Sequence, residues 1–425
     1  MGSNRRLFLK KSAALIGTAS LVSSISEIRA AFREELAADN KITDEGLEHL
    51  YQIDPSITYF NHAALGTMPR ATHEAHYHYL TLLESNPWLH MWSTPSQTAL
   101  KMTRQKLANH IKGSPEQLAL IHNTTEGFNV LAMGLPLQKG DEVLYSTLNH
   151  HCATACWQFH GARRGYECRR IELDLNSLAR LTPEELIECH LHEIRENTRV
   201  LVFPDIDNMI GYRVPADQLV QKARAKGVEY VLIDGAQTVG MFPINVEQTG
   251  ADAYIASTHK WLQAAKGTGF MYLGNKLLKA LPPIWVTGRY DTKQDSIIRF
   301  EDYNTHHIAE VLTLSDALDF QEQMGVNELI QYRAHLRRHF QNQVLNSNKL
   351  TWLSPIDDAT ATPLFAISVN GINSQRAEQE LLKTHNYVIR AFNTPEFQGL
   401  RVSVNANNTR NDIDRLVRDL NKLQI

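Results

Sequence analysis

Two lysines six residues apart stand in an uncharged stretch, "ASTHKWLQAAKGTGFMYLG", residues 256–274. Lys260 follows a histidine and precedes a tryptophan, whereas Lys266 belongs to a glycine-containing turn before an apolar run. Asp234 lies 26 residues ahead of Lys260, at the end of the apolar run "YVLI", and is followed by Gly235, Ala236 and Gln237. A carboxylate at a buried strand end is largely stripped of water and needs a cationic or proton-bearing partner. A lysine in the same setting has its charged form disfavoured and becomes a usable amine nucleophile. Such a pair is either a buried ion pair or a grip on the two ends of one aromatic cofactor. Pyridoxal phosphate demands the second arrangement, with a lysine for the Schiff base and a carboxylate for the pyridinium nitrogen. It also needs a phosphate cradle, which "NTTEGF" offers at a helix start, and a stacking partner, which "NHH" offers.

The elements that would position these groups follow one plan. "QLALIHNTTEGFNVLAMGL" and "DEVLYSTLNHHCATACWQF" each read as strand, polar turn and helix. "TRVLVFPDI" at 198–206 is the continuous apolar run of a buried strand, and "YVLID", "ADAYIAS" and "GFMYLG" add three more. Alternating strands and helices predict an α/β fold with a mixed, mostly parallel sheet between helices. Thr124, His150, Asn208, Asp234 and Lys260 all follow predicted strands, where functional groups of such sheets collect. "ITYFNHAALG" at 57–66 reads as a strand ending in a turn, and Leu100–Ile111 as helix. From about residue 290 the pattern changes to helices over Ile308–Gly325 and Glu328–Asn346. Strands then follow in "TPLFAISV", "YVIRAF" and "LRVSVN", with helices over Ser374–Thr384 and Asn411–Leu423. The expected domains are a large one over 57–288 and a smaller α+β one over 289–425, divided near "KALPPIWVTGRYD", with an N-terminal helical arm over 31–56.

The 425 residues suffice for two such domains. A net charge of −3 gives no basic field that would argue for nucleic acid. The four cysteines, Cys152, Cys156, Cys168 and Cys189, match no common zinc spacing. They allow one disulfide, or free thiols with Cys152 and Cys156 on one helix face. "NRRLFLKK" places Arg5 and Arg6 before a small-residue, uncharged segment, Ser12–Ser26. At about 1.5 Å per residue this segment is too short to span a bilayer, so no stable membrane span is expected. It reads as a signal peptide over 1–30, with Ala30 as the last residue removed, and its RR-x-F-L-K core resembles the twin-arginine type. The expected location is therefore the periplasm, reached through the twin-arginine export machinery, which carries folded proteins.

From about Tyr59 to the C-terminus the chain resembles class V, fold-type I pyridoxal-phosphate enzymes, the group of cysteine desulfurases, isopenicillin N epimerase and kynureninase. The resemblance rests on "DGAQ", 19 intervening residues, then "STHKW" and "KGTGF" taken together. It implies that Lys260 is the Schiff-base lysine, that Asp234 pairs with the pyridine nitrogen and that Gln237 reaches the phenolic oxygen. It implies that His150 stacks on the ring, and that Thr125, Ser257 and His259 hold phosphate with help from Thr124. Asn208 would lie near the phenolic oxygen and substrate carboxylate, and Arg401 would clamp the α-carboxylate. Thr305 would reach a phosphate across the interface of a homodimer. Arg390 is either a second substrate contact or a surface partner of Glu396. Trp88, His90 and Trp92 either line a substrate entrance or serve packing.

Desulfurases carry a nucleophilic cysteine on the loop before the carboxylate-binding arginine, and here that stretch, "IRAFNTPEFQGLR", has none. Transaminase-like or epimerase-like chemistry at Cα is expected, on a small-molecule amino acid or peptide substrate. A C–S lyase or desulfurase-like enzyme is the alternative, and a non-catalytic pyridoxal-phosphate-binding protein the alternative of another class. "NHAALGT" and "NPWLHMWS" resemble the isopenicillin N epimerase branch most. Exported enzymes of similar type tailor a peptide siderophore, pyoverdine, in the periplasm.

Overall fold

A computed structural model describes residues 47–288, 296–395 and 397–424, together with Glu27, Ala30 and Ile42. The expected signal peptide and most of the helical arm lie outside the described residues, as does Glu396. A short strand, β1 (Thr58–Tyr59), precedes a seven-stranded sheet. Its strands are β2 (Leu118–Ile121), β3 (Glu142–Ser146), β4 (Glu167–Ile171), β5 (Thr198–Pro204), β6 (Tyr230–Asp234), β7 (Ala253–Ser257) and β8 (Gly269–Leu273). The spatial order is β2-β8-β7-β6-β5-β3-β4; β8 runs antiparallel to both neighbours, and the other pairs are parallel.

Every residue of β2, β3, β6, β7 and β8 is buried. Alternate side chains therefore feed two cores, because neighbours on a strand point to opposite faces. Leu201, Phe203, Val231 and Ile233 enter one core, and Val200, Val202, Leu232 and Ile255 enter the other. This double burial explains why the strands read as unbroken apolar runs.

Helix starts are set by side chains that accept backbone N–H groups. Asn123 caps the helix Thr124–Gly134 through Glu126, and Thr182 forms a capping box with Glu185 ahead of Pro183–His192. The Leu100–Ile111 helix begins earlier than expected, at Thr94, and ends at His110.

The C-terminal part has a four-stranded antiparallel sheet, ordered β12-β13-β10-β9. Its members are β9 (Leu350–Trp352), β10 (Leu364–Val369), β12 (Arg390–Asn393) and β13 (Gln398–Ser403), with β11 (Tyr387–Val388) between β10 and β12 in sequence. The helices Val326–Leu345, Ser374–His385 and Arg410–Lys422 surround a core of Phe340, Phe365, Ile367, Val402 and Leu416. The "YVIRAF" run is not one strand. Tyr387 and Val388 pair in parallel with β1, while Arg390 onward pairs with β13. Residues 58–59, expected to belong with the large domain, thus pair with the C-terminal part, where Phe60 also joins the core. All four cysteines are free thiols. Among the described residues no helix is long and apolar enough to cross a membrane.

Candidate active site

The carboxyl ends of β2, β3, β5, β6 and β7 open on one edge of the sheet. Asp234 closes β6 and is 5 % exposed. Its Oδ1 accepts the N–H of Ala236 at 3.0 Å. Burial raises its carboxyl above the ordinary range, and the charge of Lys260 works against that rise. Gly235 is required beside it, since a Cβ there would sit 1.9 Å from the Tyr254 ring. Lys260 lies in the loop after β7. Burial lowers its amine pKa, and Asp234 is the strongest opposing charge. No hydrogen bond holds that amine among the described residues, so it is free to react.

The β2 and β7 ends are stitched together. The Ser257 hydroxyl meets the Thr124 hydroxyl at 2.8 Å and accepts the Thr124 N–H at 3.0 Å. Thr125 is exposed on the next position of the same helix start. His259 stands close by, with its buried Nδ1 unpartnered. Burial and the charges of Lys260 and Lys266 push its imidazole down to about 4. Hydroxyls, free helix N–H groups and an orphaned imidazole nitrogen form a cradle for a phosphate.

His150 caps the short turn His151–Ala153 by accepting the Cys152 N–H on Nδ1 at 3.2 Å. Burial, Lys260, His151 and Arg401 together push it down to about 3, which leaves a neutral flat ring at neutral pH. Gln237 is 3 % exposed and already engaged. Its Oε1 accepts the Trp261 indole N–H at 2.8 Å and its Nε2 donates to Ala63 O at 3.0 Å. One Nε2 hydrogen remains for a phenolic oxygen.

Arg401 on β13 is 4 % exposed and projects to the same opening. Nη1 donates to Asn208 O and Nη2 to Asn61 Oδ1, both at 2.9 Å, while buried Nε has no acceptor. Asn208 therefore meets Arg401 through its carbonyl. Arg390 is exposed on β12. Thr305 is exposed as well, in a segment clipped to its own chain where His307 stacks on His122 at 4.1 Å and Tyr303 donates to Glu126. Trp88 is at the surface, whereas His90 is buried.

Four further residues contribute to the site without belonging to its recognisable motifs. Cys152 sits beside Thr125, with Asp234 and Lys260 within electrostatic reach. Burial first, then Asp234, pushes its thiol up to about 12. Its place two residues after His150 was the available signal. Asn61 and Gly66 come from "NHAALGT": Asn61 holds Arg401, and the Gly66 N–H donates to His259 O at 2.8 Å. Arg333 is buried behind Trp261, donating to Asn405 Oδ1 and Gly240 O at 2.7 Å each. No sequence pattern marked it.

The residues present fit pyridoxal phosphate. The fit lies in an unbonded amine, a dehydrated carboxylate on the next strand, a neutral imidazole and a phosphate cradle with an unpartnered nitrogen.

The aminotransferase class-V family model matches residues 58–416. Isopenicillin N epimerase of Streptomyces clavuligerus is 27 % identical over 387 residues, covering 87 % of this chain and 96 % of that protein. A cysteine desulfurase of Yersinia pseudotuberculosis is 27 % identical over 402 residues, covering 87 % and 93 %. Among solved structures, a C-DES mutant with glycine covalently linked to its PLP cofactor superposes with a TM-score of 0.79 at 21 % identity, covering 89 % of this chain and 99 % of that one. The fold is that of fold-type I pyridoxal-phosphate enzymes, and the chain belongs to the class-V aminotransferase family, whose cofactor is pyridoxal phosphate.

Proposed function

We propose that this pyridoxal-phosphate enzyme acts at the Cα of an amino acid, or of a peptide-borne amino group, by transamination or epimerisation. The observation that carries the proposal is the pairing of Lys260 and Asp234 across neighbouring strand ends, with no hydrogen bond on the lysine amine among the described residues. When bound, the cofactor supplies an electron-accepting ring that lowers the barrier to breaking a Cα bond. Asp234 would pair with the ring nitrogen and favour its protonated form, and His150 would lie against the ring as a neutral imidazole. Thr124, Thr125, Ser257 and His259 hold the phosphate, and Arg401 orients a substrate carboxylate through its guanidinium. The Lys260 amine, with its lowered pKa, takes and returns the Cα proton.

A protein-thiol desulfurase route is disfavoured. The stretch 389–401 has no cysteine, and Cys152, beside the site, is held as the thiol rather than the thiolate nucleophile. The second reading is C–S bond breakage without a protein thiol. Desulfurase relatives at the same identity as the epimerase relative support it, and sulfide release from cysteine or cystine tests it. A non-catalytic pyridoxal-phosphate-binding role would account for the Lys260 amine but would leave the buried Arg401, with its Nε unpartnered, without purpose.

Arg5 and Arg6 with the following segment support twin-arginine export, a periplasmic location and tailoring of a secreted peptide such as a siderophore. Thr305, exposed near the phosphate helix, and Trp88, 78 % exposed, support assembly as a homodimer.

The test is direct. The purified protein should be yellow, and borohydride should fix the cofactor on Lys260 as shown by peptide mapping. Absence of colour, or an adduct elsewhere that persists in Lys260→Ala, overturns the proposal.

A further inference from the structure

Two arginines face each other across the C-terminal sheet, and among the described residues no acid stands between them. Arg390 of β12 stands opposite Arg401 of β13 in antiparallel register. Residues opposite one another in such a pair project from the same face, with Cβ atoms about 4.5–5.5 Å apart. Phe392, two residues after Arg390, shares that face, and the Arg401 guanidinium lies over its ring at 5.5 Å.

Among the described residues neither cation is ion-paired with an acid. Arg401 spends its two outer nitrogens on Asn208 O and Asn61 Oδ1 and leaves Nε unpartnered. Asp207 is the acid whose charge Arg401 feels, yet its oxygens accept the N–H groups of Met209, Ile210 and Tyr212 at 2.8, 2.9 and 2.6 Å. Among the described residues Arg390 makes no ion pair and no side-chain hydrogen bond. Burial and then the charge of Arg390 bring the Arg401 guanidinium down to about 10. A buried cation without an acid is costly, and a second cation on the same face adds repulsion. One carboxylate relieves Arg401 alone; relief of both calls for two negative groups at the spacing of one small molecule.

We propose that the substrate is an α-amino acid whose side chain carries a second carboxylate, with the α-carboxylate on Arg401 and the distal carboxylate on Arg390. This rests on the assignment of the site to pyridoxal-phosphate chemistry and names its substrate class. Arg390 stands at the exposed edge of the site, so the distal contact tolerates side chains of several lengths. It is also screened by water, and its effect is correspondingly modest.

Holoenzyme titrated with aspartate, glutamate and 2-aminoadipate, and separately with asparagine and glutamine, tests the proposal through changes in cofactor absorbance. The amides match the shape of the acids and lack the charge. The acids should bind about two- to fivefold more tightly than the amides. Arg390→Gln should bring that ratio close to one while the protein stays yellow, and Arg390→Lys should retain part of the preference. Equal binding of acids and amides by the unaltered enzyme overturns the proposal, as does a ratio that Arg390→Gln leaves intact. A protein that takes up no cofactor at Lys260 would bring down the enzyme assignment and this proposal together. A yellow protein that treats acids and amides alike would bring down this proposal only.

Discussion

Replacing Gly66 with alanine would separate a loop that merely passes the site from one that sets the position of Lys260. A Cβ at residue 66 would lie 2.0 Å from Lys260 O, 2.7 Å from His259 O and 2.9 Å from Lys260 C. All three are backbone atoms, so no side-chain rotation relieves the overlap. Reaching even a tight 3.0 Å contact moves the two segments at least 1.0 Å apart, the difference between 3.0 and 2.0 Å. A shift of that size takes the 2.8 Å hydrogen bond from Gly66 N–H to His259 O out of range. Its loss costs about 1 kcal/mol, and overpacking adds about 1–3 kcal/mol. Gly66→Ala should therefore lower stability by roughly 2–4 kcal/mol in denaturant unfolding. A misplacement of about 1 Å also costs on the order of a hundredfold in the rate of a positioned nucleophile. Cofactor titration by visible absorbance, with borohydride trapping on Lys260 timed after mixing, reads that loss. Gly288, where a Cβ meets nothing within 4 Å, is the control and should stay within about 0.5 kcal/mol when changed to alanine. Cofactor affinity within about threefold of the unaltered protein, together with an unchanged trapping rate, would refute the role given to this loop.

His62 is fully buried, and burial followed by the charge of Arg333 pushes its imidazole down to about 3. Its contribution is complete above the unfolded value of 6.5 and is lost as pH falls toward 3, because the unfolded chain binds a proton that the folded chain refuses. The slope in that window is about 1.4 kcal/mol per pH unit. His62→Gln should flatten the acid limb of stability, and identical slopes in urea midpoints would contradict this. Glu142 is buried and holds the Arg169 guanidinium at 2.7 and 3.0 Å and the Thr198 hydroxyl at 2.5 Å. Glu142→Ala leaves Arg169 with Glu193 as its remaining acid and should cost about 1–3 kcal/mol in denaturant unfolding; a loss below about 0.5 kcal/mol would show that the group is solvated. A reporter carrying residues 1–40 should lose export when Arg5 and Arg6 become lysine, and fractionation that shows no change would remove the periplasmic assignment.

Much of this was legible in the residues. Strands buried on both faces, such as β5 and β6, must be apolar throughout, and they announce themselves as unbroken runs. The groups that end them, Asp234 among them, stand out because a charge there has no ordinary reason to exist. Other parts are set by tertiary contact and leave no local trace. The division of "YVIRAF" at Ile389 depends on which neighbour each half meets, β1 or β13. The engagement of Gln237 by Trp261 and Ala63 depends on a loop 174 residues away. Arg333 reads as one more charge on a helix, and only the fold places it under Trp261 with no acid partner among the described residues.

The run from Asn61 to Thr67 touches the site at both ends. Asn61 bonds Arg401, Gly66 bonds the carbonyl of His259, and the carbonyl of Thr67 accepts from Gln263. It works as a fixed-length gauge between the carboxylate clamp and the nucleophile. Insertion or deletion of a single residue there would put the two ends out of step, so this run is a poor place to broaden substrate choice. The hairpin of β12 and β13 carries Arg390 on β12 and meets the gauge through β13, where Arg401 bonds Asn61 and Ser403 Oγ accepts the Ala63 N–H at 3.1 Å. Changes in that hairpin can alter what is recognised while the distance from clamp to lysine stays the same.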